Sequence, residues 1–205
     1  GAVVIPRVEI PGFMHRIVEE AVAQARKSPH INQASGVSVR TSIACLENMV
    51  SSAERRGILT GENRVVPRIC DLDHVIAAIR GKIKLMLVDD GDATEDKLIE
   101  SLLGEAVKTV FDDIADVDEY VEITDQFEGG LNLMVGDEIS AVELVANLKH
   151  VKGLFNSTAD LAKRLGVSAN DNQALAAVGE LLLEGLYVNN RLSKHASASG
   201  NRYSR

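Results

Sequence analysis

Apolar residues in this chain recur at every third or fourth position far more often than at alternate ones, and that rhythm restricts the fold to packed helices. Phe13 to Lys27 carries Ile17, Val18, Ala21, Val22 and Ala25 on one face, and Ser28-Pro29 stops it. A second helix starts near Ser38, should bury Ile43, Leu46, Met49, Val50 and Ala53, and ends at Gly57. After the polar turn "LTGENRVV", Pro67 precedes a third helix, Ile69 to Arg80, with Ile69, Leu72, Val75, Ile76 and Ile79 inward and Gly81 just past its end. Thr94, followed by Glu95 and Asp96, opens a long helix to Ile114, striped by Leu98, Ile99, Leu102, Leu103, Ala106, Val110 and Phe111. Ser140 and Glu143 have the spacing of a capping box for a helix ending near Val151. "NSTADLAKRLGVSANDNQALAAVGELLLEGLYV" supplies two more helices, broken at Gly166-Val167-Ser168. Only "KIKLML" and Leu131–Val135 alternate like strands, and the small, polar tail after Lys194 is expected to be disordered. The expected fold is mainly α with two or three short strands.

Charge divides the chain more sharply than hydropathy does. The net charge of −8 is the sum of unlike segments. Residues 1–88 hold 12 basic and 8 acidic groups, residues 89–143 hold 2 and 18, and residues 144–205 hold 8 and 4. The shift coincides with the loop-rich stretch from Val88 to Glu95, so the expected units are 1–88, 89–194 and a tail 195–205. The acidic middle argues against nucleic acid as a partner. So does the low aromatic content, 3% with no Trp, which leaves no stacking platform for single strands. No apolar run reaches the roughly 18 residues of a membrane span. The opening "GAVVIPRVEIPG" has neither an initiator Met nor a signal pattern, so it reads as a start inside a longer chain. Cys45 and Cys70 lack metal spacing and read as buried thiols of a cytoplasmic protein.

Most familiar chemistry fails on spacing. No GxxxxGK[ST] loop is present; Gly81-Lys82 lacks the upstream glycine and follows a helix instead of opening one. A calcium loop starting at Asp89 would need oxygen ligands where Gly91 and Ala93 stand and a glycine where Thr94 stands. The carboxylates of "DDIADVDEYVEITD" spread around a helix as a solvated face. "STADLAKRLGVS" has helix-turn-helix spacing, but the would-be recognition helix carries no Lys or Arg. His15, His30, His74, His150 and His195 form no catalytic motif.

One residue stands out. Arg40 lies in the first turn of its helix, where a positive charge opposes the helix dipole. A phosphate in front of Ser38 and Arg40 would account for it, since backbone N–H groups and a guanidinium fork both bind anions. A salt bridge from Arg40 to Glu19 or Glu20 would account for it equally well.

The stretch "SGVSVRTSIACLENMVSSAERRGILTGENRVVPRICDLDHVIAAIRGKI" resembles the helical lid of the magnesium-chelatase and MoxR-like branch of the AAA+ ATPases. There a lead-in of the type GxSxR, here Gly36 to Arg40, opens a helix whose arginine, termed sensor 2, reaches the γ-phosphate of ATP. A V-x-P turn follows, here Val65-Val66-Pro67. "AVGELLLEGLYVNNRLSK" resembles the closing segment of such ATPases with an extra C-terminal domain. The resemblance implies a helical lid bundle followed by a second helical domain. It assigns Arg40, with Ser38, to ATP. Arg55 and Arg56 are either contacts to a neighbouring subunit or plain surface residues. The Walker motifs of the family are missing, so it implies a C-terminal fragment, inactive alone and binding no cofactor itself. ATP and Mg²⁺ would belong to the intact parent, along with its N-terminal core, a homo-oligomeric ring and an unknown protein substrate met by the acidic appendage. The alternative is a non-enzymatic adaptor that binds DNA or protein through the hairpin 157–188.

Overall fold

A helix that is apolar on every side must lie inside the molecule, and the segment Asn172–Val188 is one: each residue from Gln173 to Leu186 is buried. The computed structural model describes residues 4–31, 37–75, 79, 91–197 and 200–205, with the backbone alone at 91–94. Its elements, in chain order, are β1 (Arg7–Val8), α1 (Gly12–Lys27), α2 (Val39–Thr60), β2 (Arg64–Val65), a 3-10 helix η1 (Ile69–His74), α3 (Gly91–Asp112), a 3-10 helix η2 (Val117–Tyr120), α4 (Val121–Glu128), β3 (Leu133–Val135), α5 (Ala141–Lys149), α6 (Leu154–Arg164), α7 (Asn172–Val188), β4 (Ser193–Ser197) and β5 (Gly200–Ser204). The protein is therefore mainly helical with a few short strands. No helix among the described residues is long and apolar enough to cross a membrane.

α7 is the hub. α3, α5, α6 and η1 all pack on it, and α1 packs on the far side of α3. Two glycines set how closely the neighbours come. A Cβ on Gly185 would stand 2.2 Å from the ring of Phe111 in α3, and one on Gly179 would stand 2.5 Å from Leu148 in α5. Asp171 caps α7, accepting from the N–H of Gln173. Ser140 caps α5, accepting from the N–H of Glu143. Both caps satisfy first-turn donors that the helix itself cannot.

Three expectations need correction. The second helix does not stop at Gly57; it continues to Thr60, and Gly61 in the left-handed region closes it. Gly57 instead lets β1 and β2 pass close by: a Cβ there would stand 2.6 Å from Pro6 and 2.7 Å from Val65. On the buried face of α2, Met49 and Ala53 are inward and Leu46 packs on the core as expected, but Ile43 is exposed, and Thr41, Cys45, Ser52 and Arg56 face inward as well. The third helix begins as the 3-10 turn η1, since Asp71 N–H bonds the carbonyl three residues back, at Arg68. Of the remainder, Val75 and Ile79 are buried, and residues 76–78 and 80, with the expected strand "KIKLML", lie outside the described residues.

The third correction concerns the tail. Ser193–Ser197 and Gly200–Ser204 pair antiparallel, and β5 pairs with β3 to give the sheet order β3-β5-β4. Tyr203, opposite Leu133, is buried. The tail is a strand pair, not a disordered extension.

Described residues on both sides of position 88 contribute to one core. One apolar cluster runs from Phe13 of α1 through Phe111 of α3 and Leu182 of α7 to Tyr203 of β5. The charge blocks meet across the same fold. Arg16 of α1 pairs with Asp113, Arg164 of α6 with Glu119 at 2.6 Å, Arg191 with Asp118 at 2.5 Å, and Arg205 with Glu128.

Candidate functional site

Ser38 takes the extended conformation of an N-cap, and its carbonyl accepts the first bond of the turn, from the N–H of Thr41 at 2.9 Å. Its hydroxyl does not cap the helix. Immediately before it, Val37 is buried and its carbonyl accepts from Arg26 Nε of α1 at 2.9 Å. α1 thus fixes the approach of the chain to α2, a contribution that spacing within 35–40 alone does not reveal. Residues 32–36, including Ser35 and Gly36 of the lead-in, lie outside the described residues.

Arg40 projects from the first turn of α2 and is exposed, with no hydrogen bond or ion pair to another described residue. The two acids that might have held it are used elsewhere: Glu19 meets His15 and Glu20 accepts from Gln24. Among the described residues, Arg40 therefore forms no salt bridge, to Glu19, to Glu20 or to any other acid. Val39 and Ile43, one residue before it and three after, are 69% and 51% exposed.

The other half of α2 is anchored. Arg56, fully buried, donates through Nη2 to the Val66 carbonyl at 2.8 Å and to Asp71 Oδ2 at 3.0 Å. Burial is the largest influence and opposes its charge, but Asp71, with Cys70 and Glu180 beside it, more than offsets this and raises its pKa. Arg56 is thus neither a surface residue nor open to a neighbouring subunit. Arg55, beside it, is on the surface and pairs with Asp137 at 2.6 Å. Arg68 and Glu180 form a second buried pair, 3.4 Å apart, and burial pushes the Glu180 carboxyl up. Burial likewise pushes the Cys70 thiol well up, which removes it as a nucleophile. Cys45 is buried as well.

A cavity of about 710 Å³ opens between η1, α3, α7 and the β4–β5 pair. Asp73, Lys97, Glu100, Lys108, Glu184 and Lys194 bring charges of both signs to it. Glu184 accepts from Lys194 Nζ at 2.7 Å and from the Tyr203 hydroxyl, which pins the strand pair to α7. Asp73 lines this open cavity with part of its surface exposed, and desolvation on its inner side raises its pKa to about 6. Mixed charge, with Lys108 and Lys194 already paired, fits a structural wall better than a selective ligand site. Among the described residues no group of His, Cys, Asp and Glu is placed to hold a metal.

The hairpin 157–188 is made by α6 and α7. Because α7 is buried on all sides, it has no free face to lay in a groove. On α6, Lys163 pairs with Asp160 and Arg164 with Glu119.

Compared with models of protein families, with curated proteins and with solved structures, the chain matches none of them.

Proposed function

We propose that this chain is the lid and C-terminal appendage of a magnesium-chelatase-type AAA+ ATPase, and that Arg40 contacts the γ-phosphate of ATP from the first turn of α2. The observation that carries the reading is Arg40 itself: exposed, unpaired among the described residues, and set at the positive end of a 22-residue helix whose second half is locked into the core. A cation placed there costs energy unless an anion faces it. With a phosphate present, the guanidinium and the helix end attract the same charge. Ser38, whose hydroxyl is not engaged in capping, supplies a further donor on that side.

ATP and Mg²⁺ are held by the parent's N-terminal nucleotide-binding core, and the ring is a cytoplasmic homo-oligomer. Arg40 adds a fixed charge to that site and ties the position of α2 to the nucleotide's state. The appendage meets the protein substrate. Since Asp113, Asp118, Glu119 and Glu128 are paired within the chain, the partner is met by other groups, such as the exposed Glu122 and Asp125 of α4.

The test is ATP turnover by the complete protein. Arg40→Ala removes a charge-assisted hydrogen bond worth about 1.5–3 kcal/mol, so turnover falls about tenfold to a hundredfold. Unchanged turnover would sink the role given to Arg40.

A further inference from the structure

The helix that carries Arg40 and the central helix α7 are more than 100 residues apart in sequence, yet they are bolted together by buried charges. Ser52 and Arg56 sit one turn apart on the inner face of α2. Both reach Asp71 of η1: Ser52 Oγ donates to Oδ1 at 3.0 Å and Arg56 Nη2 to Oδ2 at 3.0 Å. The same carboxylate accepts from the backbone N–H of Arg68 at 2.8 Å. The Arg68 side chain then turns away from α2. Its Nη2 donates to the carbonyls of Gly136 and Ile139, at 3.0 and 2.8 Å, and its Nε lies 3.4 Å from Glu180 Oε1 on α7. Glu180 Oε2 accepts from the N–H of Cys70 at 2.9 Å, which ties η1 to α7 a second time.

Gln173 makes a parallel link one end further along α7. Its Oε1 accepts from Val66 N–H at 3.2 Å, and its Nε2 donates to Glu62 Oε1 at 2.7 Å. That Glu62 oxygen also accepts from the N–H of Ala141, at the start of α5.

Apolar surfaces slide over one another at little cost, because contact area is not directional. Buried charges behave differently. A relative shift of α2 and α7 would strand Arg56, Arg68, Asp71 and Glu180 away from water and without their partners, and all four are fully buried. The cluster also remains short of ideal. Arg56 Nη1, Arg68 Nε and Nη1 and Glu180 Oε1 lack hydrogen bonds, so it is an expensive way to gain stability alone.

We infer that the buried network of Ser52, Arg56, Arg68, Asp71 and Glu180 makes α2 and α7 one mechanical unit, so that a displacement at Arg40 is carried into the C-terminal half and not absorbed at η1. The inference rests on the proposed function only for what pulls on Arg40; the rigidity itself does not depend on it. Arg68 and Glu180 are in this sense positioning residues.

The experiment is a distance measurement between spin labels on exposed sites of the complete protein. One pair spans the network, at Glu47 on α2 and Val142 on α5. A reference pair, Val142 and Asp160 on α6, lies wholly on the α7 side. Without substitution, both pairs give narrow distributions. Glu180→Gln, which removes the charge facing Arg68, at least doubles the width for the spanning pair and leaves the reference pair unchanged. Arg68→Met does the same more strongly; if it does not fold, Glu180→Gln carries the test. A merely stabilising role lowers the melting temperature without separating the two pairs. Equal widths in the variant, or both pairs broadening together, would overturn the inference. Loss of the Arg40 role in ATP turnover would leave it standing.

Discussion

Adjacent arginines on a helix point about 100° apart, so Arg55 and Arg56 of α2 meet opposite surroundings. Arg55 lies in the surface pair with Asp137, and Arg56 is buried against Asp71. Nothing in "SAERRGIL" distinguishes them, because burial of a charge depends on a partner brought in from η1. Leaving one partner buried alone is costly, so Asp71→Ala should lower the unfolding free energy by about 3–5 kcal/mol. Replacing both partners, as Arg56→Met with Asp71→Leu, should lose far less, and urea denaturation of the three proteins measures the difference. Asp73 allows a second test, in pH. Its folded pKa is raised to about 6, above that of the unfolded chain, so the folded state binds the proton more tightly. Stability should therefore fall as pH rises from about 4 through 6. Asp73→Asn should raise the melting temperature above pH 6, with the gain vanishing near pH 4. A gain independent of pH would contradict this.

Helices were legible where the local code was complete. Ser140 caps the helix it precedes, and α6 and α7 part at Gly166, as the spacing predicts. What the spacing does not reveal is how deeply α7 is buried, although its apolar runs Ala174–Val178 and Leu181–Leu183 carry the signal. The β4–β5 pair was illegible for a physical reason. "SKHASASGNRYS" has little strand propensity, and its order comes from distant partners: β3, Glu184 of α7 and Glu128 of α4. Tyr203 is its buried anchor, and burial together with the Glu184 carboxylate pushes the phenol pKa well up. Tyr203→Ala should cost about 3–5 kcal/mol in denaturant unfolding, as for other buried aromatics. A free tail would show no change. The third helix opens as a 3-10 turn, η1, in which Asp71 and Cys70 are each committed to tertiary bonds.

At the scale of the molecule, the charge segments complement one another through ion pairs between them. The acidic stretch binds arginines from α1, α6 and the C-terminal strands, while the apolar cluster runs unbroken from Phe13 to Tyr203. Composition alone supports either arrangement, since opposite charges can mark separate surfaces or a single fold's mating faces. The candidate site was legible at its centre, Arg40, because the anomaly there is local: a cation at the positive end of a helix. Its supports were not, because Arg26 and the Arg56–Asp71 pair act through contacts distant in sequence. If Arg40 recognises a γ-phosphate, its loss should matter only for nucleotides that have one. The most direct measurement is the affinity of the complete protein for a non-hydrolysable ATP analogue and for ADP, with and without Arg40→Ala. The account predicts that the substitution weakens the ATP analogue about tenfold or more, the value of a charge-assisted hydrogen bond, and leaves ADP unchanged. Equal affinities for both nucleotides before and after the substitution would contradict it.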